Sequence, residues 1–316
     1  MRVVALAGGV GGAKLVDGLA RITSPADLTV IVNTGDDFEH LGLWICPDLD
    51  TVVYTLAGLA NPDTGWGRND ETWSFLETLS ALGGPTWFRL GDRDLALNVE
   101  RTRRVESGEA LSAITDHLCE GFGVSVQVLP MTDDRVATLV LTDQGELPFQ
   151  QYFVALGCEP EVRGFRFEGI QDARPAPGVL RALEEAQMIV LCPSNPWVSL
   201  DPILAVPGVR SAIAGKQVVG VSPIVGAQSI KGPAAKMFRE LGIEPSALAV
   251  AEHYRGLLSG MVIDSQDASL ADPIRSLGLG VRVTQTIMRN PVDRKKLAEE
   301  VLTLAGERLA ETEGGL

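Results

Sequence analysis

Apolar and polar positions along this 316-residue chain recur with two different periods. The stretch VVALAGG at 3–9 is continuously apolar and ends in glycines, which predicts a strand buried on both faces of a parallel sheet. Leu15, Leu19 and Ile22 in the following GGAKLVDGLARI fall at helical spacing, and LTVIVN at 28–33 predicts a second strand. Together they make a βαβ unit. From 51 to 122 the period becomes helical in LDTVVYTLAGLA, DETWSFLETLSALGG, DLALNVERTRRVESG and LSAITDHLCEGFG, each bounded by Gly, Pro, Asp or Ser. Strands resume with VSVQVLP (124–130), ATLVLT (137–142), QYFVALG (151–157) and GFRFEGI (164–170), a block expected to be partly antiparallel. After the helix PGVLRALEEA come buried strands in MIVLCPSNP and QVVGVSPIVG, a helix at 233–242, the strands GMVIDS and VRVTQT, and a terminal helix at 292–310. This alternation predicts an α/β protein with a doubly wound, mainly parallel sheet. Its core comprises residues 1–50 and 123–316, interrupted by a helical insertion, 51–122, that caps the sheet.

Composition narrows the class. With 45% hydrophobic and 22% charged residues the chain reads as an ordinary soluble protein. No apolar run approaches the ~20 residues of a membrane span, and the N-terminal sequence lacks a charged-then-apolar leader layout, so a cytoplasmic location is expected. Cys46, Cys119, Cys158 and Cys192 are widely spread without a C-x-x-C pair, which argues against disulfides or structural zinc. A net charge of −14 disfavours nucleic acid as a partner. An anionic small molecule still fits where basic side chains or a metal gather locally.

Three loops leave the predicted strand ends. AGGVGGAK (7–14) is glycine-rich and opens a helix, where backbone N–H groups favour an anion. Gly9 and Gly11 match the start of G-x-G-x-x-G, but Lys14 stands where the third glycine belongs, and the P-loop pattern fails at Ala13 and Leu15. A nicotinamide dinucleotide is therefore poorly supported, and Asn33 replaces the acid expected for its ribose. CPSNPW (192–197) and VSPIVGAQSIKGP (221–233) bring Ser194, Asn195, Ser222, Ser229 and Lys231 to the same edge, the groups that phosphates and a ribose require. The plain alternative is that these are turn formers.

Four acids, Asp36 and Asp37 in NTGDDFEH and Asp48 and Asp50 in ICPDLDTVVY, need an explanation because like charges this close repel. Solvated turns would suffice. Alternatively a subset holds Mg²⁺, which takes one or two carboxylates plus substrate phosphates, while the rest position a substrate hydroxyl. WFRLGDRD (87–94) adds Arg89 between Phe88 and Leu90, an odd setting for a merely solvated arginine, whereas Asp92 and Arg93 read as structural. GWGRNDETW (65–73) supplies Trp66 and Trp73, which pack in a core or face a flat ring.

These segments in order, GGVGGAKLVDGL, NTGDD, ICPDLDTVVYTLAG, GWGRNDETW, LGDRDLA, CPSNPWVSL and VSPIVG…IKGP, resemble the 2-phospho-L-lactate transferases of coenzyme F420 biosynthesis over nearly the whole chain. The resemblance implies a Rossmann-like core with a helical subdomain, Mg²⁺ dependence and a homodimer. It also implies transfer of a phospholactyl-type group (phospholactate, phosphoenolpyruvate or phosphoglycerate) from a guanosine diphosphate derivative to the ribityl hydroxyl of the deazaflavin Fo, with GMP released. It places Asp50 and Arg89 at the deazaflavin and Asp36 and Asp50 at the metal and the chemistry. Gly9, Gly11, Gly12, Ser194, Asn195, Ser222 and Lys231 are expected to line the guanine nucleotide. The competing expectation is a non-catalytic regulator of the same superfamily that binds a nucleotide sugar; such a protein has little use for PDLDT and LGDRD together.

Overall fold

The computed structural model describes the backbone of residues 1–313 and the side chains of 1–308. β1 (Val3–Ala7), α1 (Gly9–Ala20) and β2 (Leu28–Val32) form the βαβ unit. A hairpin of β3 (Phe38–His40) and β4 (Leu43–Ile45) leads into α2 (Pro47–Leu56), α3 (Ser74–Ala81), α4 (Asp92–Glu106) and α5 (Leu111–Gly121). β5 (Gln127–Pro130), β6 (Ala137–Thr142), β7 (Gly145–Pro148) and β8 (Val162–Glu168) follow. The C-terminal half carries β9 (Met188–Leu191), β10 (Val218–Val221), the two-residue β11 (Ile224–Val225) and β12 (Gln228–Ser229), β13 (Gly260–Asp264), β14 (Gly280–Thr284) and a helix at Pro291–Glu313.

Seven strands form one parallel sheet in the order β14-β13-β10-β9-β1-β2-β5. The chain runs outward from β1 through β2 to β5, then returns to β9 on the other side of β1. That reversal opens a crevice beyond the carboxyl ends of β1 and β9, where α/β sheets bind ligands. Alternation along β1 feeds two cores: Val3, Ala5 and Ala7 pack with α1, α2, α5 and the last helix, while Val4 and Leu6 face the opposite cluster. Burial on both faces explains the uninterrupted apolar runs. Gly18 lets α1 cross the C-terminal helix closely, since a Cβ there would lie 2.2 Å from the Arg294 carbonyl oxygen. Asp17 pins the crossing by accepting from Arg294 at 3.1 Å and from Arg21 at 2.9 Å.

The doubly wound parallel sheet agrees with the sequence reading, and the antiparallel component is the separate sheet β7-β6-β8. Some details differ. Residues 151–155, expected in a strand, form a short π-helical turn, with Tyr152 buried and Phe153 and Val154 outward. Short apolar runs carry little information about period. Gly157 and Cys158, both at positive φ, then turn the chain. The strand near 124–130 joins the main sheet through β2. The hairpin β3–β4 went unpredicted; its turn places Leu41 and Gly42 at positive φ without an Asn-Gly signal.

Candidate active site

The crevice beyond β1 and β9 is a cleft of about 700 Å³. Gly9, Gly11, Asp36, Asp50, Arg89, Ser194, Asn195, Ser222 and Lys231 all line it. Gly12 is the exception: it sits behind the surface, where an added Cβ would meet Ser194 Oγ at 2.8 Å. The glycine loop owes its composition partly to contact between loops. A Cβ on Gly11 would lie 2.3 Å from the Pro193 carbonyl oxygen, and Gly9, at φ +62°, begins the first turn of α1. Ser194 Oγ donates to the Gly8 carbonyl at 2.8 Å and accepts from the Gly8 N–H at 3.3 Å.

Several expected nucleotide ligands are spent locally. Ser222 Oγ donates to the Ile224 carbonyl and accepts from its N–H. Asn195 Oδ1 caps the next turn through the Trp197 N–H at 3.1 Å. These side chains shape their loops, leaving backbone groups and Lys231 to face a ligand. The Lys231 ammonium donates to the Thr64 carbonyl across the mouth of the cleft.

The four acids are all buried. Asp48 accepts the Gly9 N–H at 2.7 Å and Asn33 Nδ2 at 2.9 Å, so its carboxylate occupies the anion position at the start of α1. Asp50 is gripped by Arg101, whose Nη1 lies 3.1 Å from Oδ2 and whose Nη2 donates to Oδ1; Asn98 Oδ1 holds the same guanidinium at 2.6 Å. Among the described residues Asp36 Oδ1 and both oxygens of Asp37 lack a hydrogen-bond partner at normal distance, with the Cys46 thiol the neighbour of Asp37. Asp37 does not line the main cleft and faces a smaller hollow of about 190 Å³ beside Thr34 and Trp44. Burial, reinforced by Asp48, raises Asp36 well above the carboxylate range, and burial does the same for Asp37. Burial pushes Asp48 up to about 6, against the hydrogen bonds from Asn33 and Gly9. It also raises Asp50 despite Arg101.

Among the described residues, no three His, Cys, Asp or Glu side chains converge as a complete protein metal cage. Mg²⁺ does not require one, because it is held by one or two carboxylates and completed by phosphates and water. One guanidinium against three buried carboxyls at the cleft floor, Asp36, Asp48 and Asp50, with Asp36 Oδ1 unpartnered among the described residues, leaves oxygen donors unmatched by positive charge. Asp36, with Asp48 or Asp50, fits a divalent cation.

The cleft also has an aromatic lining made by Trp66, Trp87, Phe88, Phe149 and Phe153. Phe88 packs edge-on against Phe38 at 4.9 Å, and Phe149 stacks on Phe153 at 5.4 Å. The Arg89 guanidinium lies 4.5 Å above the Trp73 ring, exposed, with no carboxylate partner among the described residues. Asp92, read as structural, does cap α3 through the Phe75 and Ser74 N–H groups, and Arg93 pairs with Asp70 at 2.7 Å. Arg101, Asn98, Tyr54 and Asp94 went unrecognised in the sequence. The available signal was helical spacing, since Asp50 and Tyr54 share a face of α2, and Asp94, Asn98 and Arg101 share a face of α4.

The model of the family described as 2-phospho-L-lactate transferase CofD matches residues 3–295. The chain belongs to this family. It is 48% identical over 315 residues to the phosphoenolpyruvate transferase of Streptomyces coelicolor, covering 97% of this chain and 99% of that one. It is 41% identical over 312 residues to the 2-phospho-L-lactate transferase of Methanopyrus kandleri, covering 97% and 98%. A Bacillus halodurans protein of the UPF0052 family shares the fold, with a TM-score of 0.63 at 17% identity over 95% of this chain and 98% of that one. As a CofD family member, the protein is a transferase of coenzyme F420 biosynthesis.

Proposed function

We propose that this CofD family transferase moves a three-carbon phospho-acid group, of the phosphoenolpyruvyl kind, from a guanosine diphosphate-linked donor to the ribityl hydroxyl of the deazaflavin Fo, releasing GMP. The observation that carries this reading is a single cleft lined by two chemically distinct sets of groups. One set is a glycine turn, Lys14 and Lys231 beside buried acids; the other is aromatic and includes the Arg89 guanidinium, which has no ion pair among the described residues. A charged nucleotide and a flat ring bearing a polyol suit those two sets. The choice of phosphoenolpyruvyl is supported by relatives named phosphoenolpyruvate transferases at 47–48% identity, against 41% for one named for 2-phospho-L-lactate.

Phosphoryl transfer is catalysed mainly by positioning and charge neutralisation. Asp36, with Asp48 or Asp50, would hold Mg²⁺, which when bound supplies positive charge to the diphosphate. Arg101 fixes the Asp50 carboxylate, and Asp50 orients the attacking hydroxyl. The nucleotide would lie along the cleft face of the glycine turn, whose Gly9 N–H is held by Asp48 and whose Gly11 packs on the Pro193 carbonyl, and Lys231 reaches over from its own loop. Lys14 donates to the Met288 carbonyl at 3.0 Å and closes that end of the cleft. No helix among the described residues is long and apolar enough to cross a membrane. A cytoplasmic homodimer is part of the same proposal.

Incubating the protein with Fo, Mg²⁺ and guanylylated phosphoenolpyruvate, and following GMP release and product mass, tests the reading. Release of GMP with a phosphodiester of Fo supports it. Binding of the nucleotide without turnover would point instead to the non-catalytic regulator.

A further inference from the structure

Two helices face each other across the floor of the cleft and meet in two rungs. In the inner rung Arg101 of α4 grips Asp50 of α2, and Arg101 is only 1% exposed. The outer rung, one turn along α2 and two along α4, joins Tyr54 to Asp94: the phenol donates to Asp94 Oδ1 at 2.8 Å. The rungs differ in one respect. Both oxygens of Asp50 are engaged by Arg101, whereas Asp94 Oδ2 has no partner among the described residues and is not fully buried, in a residue that lines the cleft. The Glu71 carboxylate accepts the Asp94 and Arg93 backbone N–H groups, both at 2.9 Å, which fixes the start of α4.

A carboxylate is more than Tyr54 needs, since an amide oxygen would accept the phenol as well. The unused oxygen is an acceptor near Asp50, in a cleft that Asp94 and Asp50 both line. Two acceptors side by side, with no cation committed to the second, complement a neutral ligand carrying adjacent hydroxyl donors. An anionic nucleotide would be repelled there. We infer that Asp94 is a specificity-determining residue that accepts a hydrogen bond from the polyol chain of the acceptor substrate, next to the hydroxyl that Asp50 orients. The inference rests on the proposed deazaflavin acceptor and extends it to a residue that neither spacing nor the resemblance singled out.

Asp94→Asn is the direct test, because it retains an oxygen for Tyr54 while turning the free acceptor into a donor. Fo binding is read by the fluorescence of the ring, and GDP binding by calorimetry, on the full chain. At about pH 8.5, above the value of about 7 to which burial raises Asp94, a hydrogen bond to the charged group corresponds to a loss of about tenfold or more in Fo affinity. GDP affinity is expected to stay close to wild type and the thermal midpoint to hold or rise, since a buried charge is removed. Tyr54→Phe keeps the carboxylate and is expected to weaken Fo binding less than Asp94→Asn. With a deazaflavin ring lacking the polyol chain, the Asp94→Asn penalty is expected to vanish. Unchanged Fo affinity in Asp94→Asn overturns the assignment, as does equal loss of Fo and GDP. A penalty that persists with the chainless ring shows that Asp94 reads the ring instead, which overturns the polyol assignment. If the wild type binds no Fo at all, the acceptor reading itself falls, a result distinct from a wild type that binds and a variant that binds equally.

Discussion

The Arg101 guanidinium closes on the Asp50 carboxylate across the α2–α4 interface, with Asp50 7% and Arg101 1% exposed. It is the positive group set among the clustered acids. Asn98 Oδ1 accepts from the same Nη1 at 2.6 Å, so the arginine is anchored on its own helix before it meets the acid. Removing one partner of a buried pair strands the other charge, typically at a cost of about 3–5 kcal/mol. Arg101→Met is therefore expected to lower the unfolding midpoint by several degrees and to abolish turnover. The double variant Asp50→Asn/Arg101→Met is expected to regain much of the stability while staying inactive. Calorimetric midpoints alongside GMP release check this; a double variant no more stable than Arg101→Met would show that the pair is not the source of the loss.

Gly11 gives a second prediction, about shape alone. Its missing Cβ leaves room for the Pro193 carbonyl, which a methyl would meet at 2.3 Å. Gly11→Ala must push the α1 turn away from the β9 loop, and such overpacking costs roughly 1–3 kcal/mol. Nucleotide affinity is expected to drop together with the thermal midpoint, although no ligand-contacting side chain has been removed. Unchanged stability with lost affinity would mean that the glycine serves the ligand directly.

The sheet was legible because central strands buried on both faces, such as β1, β9 and β13, write continuous apolar runs, while the edge strands β5 and β14 show only alternation. The cleft loops were legible because they leave those strands at one edge. Pairing across the insertion was not legible. Nothing local in NVERTRRVE marks Arg101 as the partner of Asp50, since the neighbouring Arg103 and Arg104 sit near the surface and pair with Glu100. The roles of Ser194 and Ser222 were equally hidden. Their hydroxyls match a ligand by type, yet Ser194 ties its loop to the Gly8 backbone and Ser222 closes its own turn on Ile224, which only geometry distinguishes.

The buried acids predict a pH dependence. Burial raises Asp48 to about 6 and Asp94 to about 7, the latter helped by the Asp50 charge, above an ordinary value of 3.8. For a carboxyl with a raised folded pKa, the fold binds the proton more tightly than the unfolded chain does. Stability from these groups is therefore full at low pH and declines as pH rises from about 4 to about 7, then levels off. In EDTA the thermal midpoint is expected to fall between pH 5.5 and 8. Mg²⁺ binds the ionised carboxylates, so by mass action its stabilising effect should be larger at pH 8 than at pH 5.5. Asp36→Asn is expected to shrink the Mg²⁺ effect. A midpoint that rises with pH in EDTA, or a Mg²⁺ shift independent of pH, would remove the buried carboxyls from the metal site.

Arg89 is proposed to serve the deazaflavin and not the nucleotide. Its guanidinium stacks over Trp73 at 4.5 Å with no ion pair among the described residues, and it lines the cleft next in sequence to the lining residues Trp87 and Phe88. A planar cation pre-oriented on an indole offers both stacking and a forked donor to a flat heterocycle. Arg89→Ala is expected to weaken Fo binding by roughly tenfold, the scale of one charge-assisted hydrogen bond, while GDP affinity stays essentially unchanged. Arg89→Lys should recover only part of the loss, because an ammonium keeps the charge and forfeits the stacked plane. Fluorescence titration with Fo and calorimetry with GDP separate the cases. Equal losses for both ligands would place Arg89 in the scaffold, and a loss confined to GDP would assign Arg89 to the nucleotide instead.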